Sequence, residues 1–140
     1  MGRCRHILVT VLLAAVLAGL TACGSPEQKK SSRGEEWEYT VVPTADIPAD
    51  FAKEIEEKKI NAFQMTYDDG AFLYAAVGYG EQAGGGFSIQ VLGLYEKGEN
   101  LCLETSLTGP GEDEVVSEKA SFPYIVLKTK KTDKEVEFDT

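Results

Sequence analysis

The residues that most often carry nucleophilic or metal-binding chemistry are scarce in this chain of 140 residues. It has one histidine, His6, and three cysteines, Cys4, Cys23 and Cys102. Only Cys102 lies beyond the first 23 positions. Which chemistry is available to the finished protein therefore depends on what happens to the N-terminal segment.

That segment has the composition of a secretory signal. It begins with Arg3 and Arg5 and no acid, and residues 7–20 are almost continuously apolar. A positive start, a short apolar run and small residues before a cleavage site are typical of a signal peptide. The apolar run has 14 residues, whereas a membrane-spanning helix needs roughly 20. We therefore predict a cleaved signal over residues 1–22.

Cys23 follows the signal in a motif that resembles the bacterial lipobox, which is a leucine, two small residues and a cysteine. The matching residues are Leu20, Thr21, Ala22 and Cys23. The resemblance implies that Cys23 is the lipid attachment residue and carries a diacylglyceryl group. Each buried methylene contributes about 0.8 kcal/mol, so that two acyl chains anchor a protein stably. We expect a lipid-anchored protein on the extracytoplasmic face of the cell membrane; the alternative is an ordinary signal with an incidental cysteine.

Processing at Cys23 would remove most of the candidate chemistry. His6 and Cys4 would leave with the signal, and Cys23 would be acylated. Without histidine, Ser-His-Asp and Cys-His catalysis and histidine-ligated zinc are excluded. Cys102 lies between two leucines in a strand-like segment, where a buried structural thiol is more common than a reactive one. We predict a protein with no catalytic residues, no metal site and no cofactor.

Net charge limits the partners. Without Arg3 and Arg5 the chain has 12 basic and 23 acidic residues, a formal charge of −11. Such an acidic surface argues against a nucleic-acid partner and repels anionic lipid headgroups. Residues 23–36 are polar and are predicted to be a flexible tether that holds the domain away from the membrane. Residues 37–140 are long enough for one globular domain.

The hydrophobic pattern of residues 37–140 predicts about seven short strands and one helix. The strands are expected at 37–42, 62–67, 71–79, 87–95, 101–107, 122–130 and 135–138. A helix is expected at 48–58, with Ile47, Phe51 and Ile55 as its apolar stripe and Asp46 as its capping acid. The predicted fold class is α+β, mainly β: an antiparallel sheet or small sandwich with one helix packed on it.

Two motifs that could have indicated a ligand site do not meet its requirements. The glycines of residues 78–84 are spaced one residue too widely for a dinucleotide fingerprint and lead into a strand rather than a helix. The Asp-Asp-Gly sequence at 68–70 lacks the alternating ligands of a calcium loop and is instead a hairpin signal. The acids at 112–114 are those of a solvated loop, and no catalytic carboxylate pair is singled out.

Three blocks of the chain resemble the C-terminal domain of the protease complex subunit PrcB family, a domain of the bacterial envelope. They are residues 80–91 (GEQAGGGFSIQV), 107–111 (LTGPG) and 121–128 (SFPYIVLK). The family pattern is a Thr-Gly-Gly-Tyr-Ser-Ile-like loop and strand, a Gly-Pro loop and a Pro-Tyr strand. This chain departs from the pattern at Ala83, where proline is frequent, at Gly84, where threonine is usual, and at Phe87, where tyrosine is usual.

The resemblance implies a non-catalytic domain that assembles or stabilises a partner. The loops 80–86 and 108–111 are expected to lie near one another at one end of the sheet. The candidate partner-binding residues are Gly84, Gly85, Gly86, Phe87, Gly109 and Pro110. Our leading hypothesis is a domain that binds another envelope protein, such as a protease. The alternatives are a binder of a small molecule, peptide or glycan at the same loops and, third, an enzyme that uses carboxylates or Cys102 alone. Phe87 has its own alternative, as a core residue at the start of a strand.

Overall fold

The computed structural model describes residues 33–140, so that the predicted signal, Cys23 and most of the predicted tether lie outside the described residues. The elements are β1 (Tyr39–Val41), a 3₁₀ turn (Thr44–Asp46), α1 (Ala49–Lys58), β2 (Ala62–Asp68), β3 (Phe72–Tyr79), β4 (Ser88–Lys97), β5 (Asn100–Thr108), β6 (Tyr124–Lys130) and β7 (Val136–Asp139). Seven strands and one α-helix confirm a fold that is mainly β. No helix in the described part is long and apolar enough to cross a membrane.

The strands form two sheets. Sheet I has four strands in the order β1-β6-β3-β2, and all its neighbours are antiparallel. Sheet II has the order β4-β5-β7. Its β5–β7 pair is parallel, with Leu101 opposite Val136, so that the predicted antiparallel arrangement is wrong for this one pair. The chain reaches β7 from β6 in the other sheet, and no hairpin therefore imposes a direction on it.

Sheet I is the middle of three layers, because β3 is buried on both faces. Successive side chains of a strand point to opposite faces. Tyr74 and Ala76 pack in a cluster with residues of α1, whereas Ala75 and Val77 pack against side chains of sheet II. The unbroken apolar sequence of β3 is typical of such a doubly covered strand. The molecule is thus the predicted small sandwich with a helix packed on it.

Helix α1 begins without the cap that the sequence indicates. Asp46 belongs to the preceding 3₁₀ turn, and Pro48 occupies the N-cap position with no side-chain hydrogen bond there. The prediction that Asp46 caps α1 is wrong because the helix begins at Ala49, which leaves the Asp46 carboxylate too far back in the chain. The Pro48 carbonyl instead accepts the first helical hydrogen bond, from Ala52 N–H at 2.8 Å.

The turn between β2 and β3 is the hairpin that Asp-Asp-Gly predicts. Gly70 adopts φ 94°, and its N–H donates to Asp68 Oδ1 at 2.7 Å. Asp69 Oδ1 accepts hydrogen bonds from the N–H groups of Phe72 at 2.7 Å and Ala71 at 2.8 Å. These backbone donors favour the charged carboxylates, and they lower the pKa of both Asp68 and Asp69.

We expect Asp69 to titrate below its ordinary pKa of 3.8. A lowered folded-state pKa means that its contribution to stability is present above the unfolded-state pKa and is lost as the pH falls through the folded-state value. The Asp69 carboxyl carbon shift, followed by NMR from about pH 6 to about pH 2, measures the pKa directly. Asp69→Asn should flatten the acid limb of a thermal stability profile. A midpoint at or above 3.8 for Asp69 would contradict the turn geometry.

Backbone pairing begins before Trp37, within the last residues of the predicted tether. Gly34 N–H donates to the Glu96 carbonyl at 2.7 Å, and Glu96 N–H donates to the Glu35 carbonyl at 2.9 Å. Trp37 N–H then donates to the Leu94 carbonyl at 2.7 Å. The polar residues at the end of the predicted tether thus lie along the outer edge of β4. Composition does not reveal this pairing, because the partner groups come from a strand about 60 residues away.

Candidate functional site

Two loops form the surface that contains the predicted site residues. The glycine loop, residues 80–87, connects β3 to β4, and the acidic loop, residues 109–123, connects β5 to β6. A connection as long as the acidic loop, without regular structure of its own, is uncommon in a compact domain and often has a function. Specific hydrogen bonds hold it against the glycine loop.

The hydrogen bonds between the loops involve mainly backbone groups. Gln82 and Ser121 form an isolated antiparallel bridge, with Gln82 N–H to Ser121 O at 2.8 Å and Ser121 N–H to Gln82 O at 3.1 Å. Gly85 N–H donates to the Ser117 carbonyl at 2.8 Å. The Ser121 hydroxyl donates to the Gly84 carbonyl. The glycine loop is therefore hydrogen-bonded to the acidic loop through Gln82, Gly84 and Gly85.

Gly86 is the position of closest packing between the two loops. Its φ of 80° lies in the left-handed region that favours glycine. A Cβ there would lie 2.5 Å from Val116 Cγ1 and 2.8 Å from Pro110 Cβ. A Cβ on Gly109 would lie 3.4 Å from the Phe87 ring. The structure therefore brings together the predicted residues Gly86, Phe87, Gly109 and Pro110.

Phe87 is half-buried and lies outside both clusters of the hydrophobic core. Its ring lies beside Gly109, close enough that a Cβ added to that glycine would touch it. This placement disfavours its alternative assignment as a core residue at the start of β4. A partly accessible aromatic ring between two glycine-rich segments is instead suited to contact with a second molecule.

Four residues of this surface were not predicted from the sequence, namely Val115, Val116, Ser117 and Ser121. Val116 packs beneath Gly86, whereas Val115 is 99% exposed. Exposed acids surround Val115 in the sequence, at positions 112–114 and 118. The Val-Val pair within an acidic segment was the available signal, because one member of such a pair commonly packs against a neighbouring element.

The remaining candidate nucleophile lies inside the protein. Cys102 is 1% exposed on β5, which confirms its prediction as a buried thiol. Opposite it, a hydrogen bond with the Cys102 thiol and burial raise the pKa of the Tyr95 hydroxyl. Among residues 33–140, no group of three or more histidine, cysteine or acidic side chains is arranged to hold a metal ion.

Two surface hollows are lined by residues outside the two loops. One, of about 920 Å³, is open and is bordered by Trp37, Tyr39, Phe72, Lys128 and Lys130, among other residues. The other, of about 360 Å³, lies beside β2 and β3. Neither is lined by a residue of the glycine loop or the acidic loop. Neither hollow therefore provides a cleft at these loops for the alternative hypothesis of a small-molecule, peptide or glycan site.

The fold and the paired loops define a small β-sandwich domain with a composite loop surface. Residues 73–130 match the family model described as PrcB C-terminal. This match extends over β3 to the end of β6 and includes both loops. The predicted resemblance is confirmed. Neither a curated protein nor a solved structure matches the chain.

Proposed function

We propose that this protein is a lipid-anchored, extracytoplasmic and non-catalytic domain that binds another envelope protein, such as a protease. The match of residues 73–130 to the PrcB C-terminal family supports association with a protease complex. The lipid anchor at Cys23 and the location outside the cell are predictions from the sequence motif. The observation that carries the binding role is the glycine loop, which the acidic loop holds in one conformation with Phe87 half-exposed beside it.

The chemistry of this surface fits a protein partner. Glycines let another chain approach the backbone closely, and the Phe87 ring offers the type of contact that often dominates the energy of an interface. The exposed acids of residues 112–114 favour a partner with basic residues around its apolar contact. Because the loops are already hydrogen-bonded to one another, a partner would not have to order them on binding.

Gly85→Arg and Phe87→Ala test this surface in two ways. A Cβ at Gly85 would lie 3.5 Å or more from Ser117 atoms, an ordinary contact, so that the arginine variant should fold and fill the surface. Phe87→Ala removes the aromatic contact and should weaken binding by about 2 kcal/mol, or roughly thirtyfold. The measurement is recovery of envelope proteins with the full-length chain from detergent-solubilised membranes, followed by titration of the recovered partner.

Phe72→Ala is the matched control for Phe87→Ala. Phe72 is also a partly exposed aromatic residue, but it lies at the start of β3 beside the larger hollow. We expect this variant to recover the same partner as the wild type, with unchanged affinity. If Gly85→Arg and Phe87→Ala both fold and retain the wild-type partners, the loop surface is not the interface and the proposal fails.

A further inference from the structure

Strand β2 leaves one row of backbone hydrogen-bonding groups open. It lies at the end of sheet I and pairs with β3 on one side only among residues 33–140. Asp69 N–H donates to the Phe72 carbonyl, and antiparallel pairing alternates between bonded and non-bonded positions. The odd-numbered residues of β2 therefore bond to β3. The N–H and C=O groups of Gln64 and Thr66 point away from the sheet, and both residues are exposed.

This edge lacks the features that usually protect a strand from pairing. Its seven residues contain no proline and no lysine, and its register with β3 is uninterrupted. The other outer strands in the described part are shorter or covered: β1 has three residues, β7 has four, and residues 34–37 lie along β4. An edge of this length without protection is a ready template for another strand.

A hollow of about 360 Å³ lies at the margin of the same edge. Its lining includes Ala62 and Gln64 of β2, Val77 and Tyr79 of β3, and Thr140. The Tyr79 hydroxyl is 2.8 Å from Thr105 Oγ1 of β5, which holds the ring on the side of sheet II. A strand added to β2 would direct every second side chain to this face. One of those side chains could enter the hollow.

We propose that the β2 edge binds an extended segment of a partner protein by strand addition, with one apolar side chain of that segment in the hollow. Main-chain hydrogen bonds supply affinity in this mode of recognition, and pockets for alternate side chains supply specificity. The edge begins beside the glycine loop, since Glu81 N–H donates to the Ile60 carbonyl at 3.0 Å. One partner could therefore engage both surfaces, and in that respect the inference rests on the proposed function.

A second copy of this chain is a poorer occupant of the edge. In an antiparallel β2–β2 pair, the side chains directed to the face of the hollow would be Ala62, Gln64, Thr66 and Asp68. These are small or polar and would not place an apolar side chain in the hollow beside Tyr79. Self-pairing would also bring together two chains that each have a formal charge of −11 once residues 1–22 are removed.

Amide hydrogen exchange on the full-length chain tests the edge without any substitution. In the free protein, Gln64 and Thr66 should exchange at least about 100-fold faster than Met65 and Tyr67, whose N–H groups bond to β3. The probe is a capped nine-residue peptide, Lys-Thr-Val-Thr-Leu-Thr-Val-Thr-Lys, and its control has proline in place of the central leucine. The first peptide should slow exchange at Gln64 and Thr66, and the proline peptide should not.

Two variants at Thr66 distinguish the contribution of its backbone N–H to peptide binding from the contribution of its side chain. Thr66→Pro removes an N–H that does not bond to β3, so the β2–β3 pairing should survive while strand addition is blocked. Thr66→Ala retains the N–H. We expect the peptide to bind Thr66→Ala as it binds the wild type and to bind Thr66→Pro at least about tenfold more weakly. Gln64→Pro, designed on the same logic, is the second blocking variant if Thr66→Pro does not fold.

Three results would overturn the inference. The first is no change in exchange at Gln64 and Thr66 with peptide at about 1 mM. The second is equal peptide binding by folded Thr66→Pro and Thr66→Ala. The third is protection of both amides in free protein that increases with protein concentration, which would identify a second copy as the occupant.

The failure of this inference and that of the proposed function give different results. If the peptide protects the edge but Gly85→Arg and Phe87→Ala retain the wild-type partners, the loop surface is not the interface. Strand addition at the β2 edge then remains supported. If those loop variants lose their partner and the peptide leaves the edge unprotected, the edge inference alone is wrong.

Discussion

Replacing Phe51 with alanine is expected to lower the free energy of unfolding by about 3–5 kcal/mol, because a large side chain would leave a cavity in the core. Phe51 is 1% exposed on the face of α1 that packs on sheet I. Its ring stacks on Tyr67 with centroids 5.2 Å apart and meets Tyr74 edge-on at 6.4 Å. The substitution removes both the buried area and these ring contacts. Urea denaturation of wild type and variant measures the difference.

Phe72→Ala gives the reference for this measurement. It deletes the same atoms from a ring that is 42% exposed, so its cost should stay below about 1 kcal/mol. If Phe51→Ala lowers the free energy of unfolding no more than Phe72→Ala does, α1 does not pack on sheet I through its predicted apolar stripe. A changed denaturant slope would show in addition that the helix detaches before the sheets unfold.

The elements of this fold could be predicted from the sequence because their signals are local. The apolar residues of α1 recur four positions apart, and Phe51 and Ile55 are buried where that spacing places them. The Asp-Asp-Gly turn has its signature in three adjacent residues. The division of the strands into two sheets has no such signature. It depends on which faces of β3 and β6 are covered, and that is decided by packing between segments distant in the chain.

The parallel β5–β7 pair illustrates the same limit. The alternation of β7 predicts a strand, but alternation is identical for parallel and antiparallel neighbours. Its direction follows from the route of the chain through sheet I. The pairing of Gly34 and Glu35 with β4 is equally non-local, because polar residues contribute to it only through their backbone groups.

The candidate site could be predicted only in part. The glycine loop and Gly109-Pro110 are found from the order and spacing of three sequence blocks. Ser117 lies outside these blocks, and Ser121 only begins the third. Their contacts use a carbonyl, a backbone bridge and one hydroxyl, and each joins them to a glycine-loop residue more than 30 positions away. Any residue type can supply a backbone carbonyl, so the sequence leaves no trace of this contact.

The second large effect is expected at Gly86, where substitution by alanine should lower the free energy of unfolding by about 2–5 kcal/mol. A left-handed backbone conformation penalises a Cβ by roughly 1–2 kcal/mol, and overpacking adds roughly 1–3 kcal/mol. The added Cβ would lie 2.5 Å from Val116 and 2.8 Å from Pro110, at a φ of 80°. Urea denaturation measures the total, and hydrogen exchange at the Gly85 amide shows whether the loops separate instead.

Gly98→Ala isolates the backbone part of this effect. Gly98 has a φ of 66°, and nothing lies within 4 Å of the position that its Cβ would occupy. The variant should therefore lose only the left-handed penalty, about 1–2 kcal/mol. The difference between the unfolding free energies lost by Gly86→Ala and by Gly98→Ala then measures how closely the glycine loop packs on the acidic loop. Equal losses at the two positions, with the Gly85 amide still protected, would show that the loops do not pack closely at Gly86. A larger loss at Gly86 would support one composite surface, because the two loops could then neither accept the added Cβ nor separate without a measurable cost.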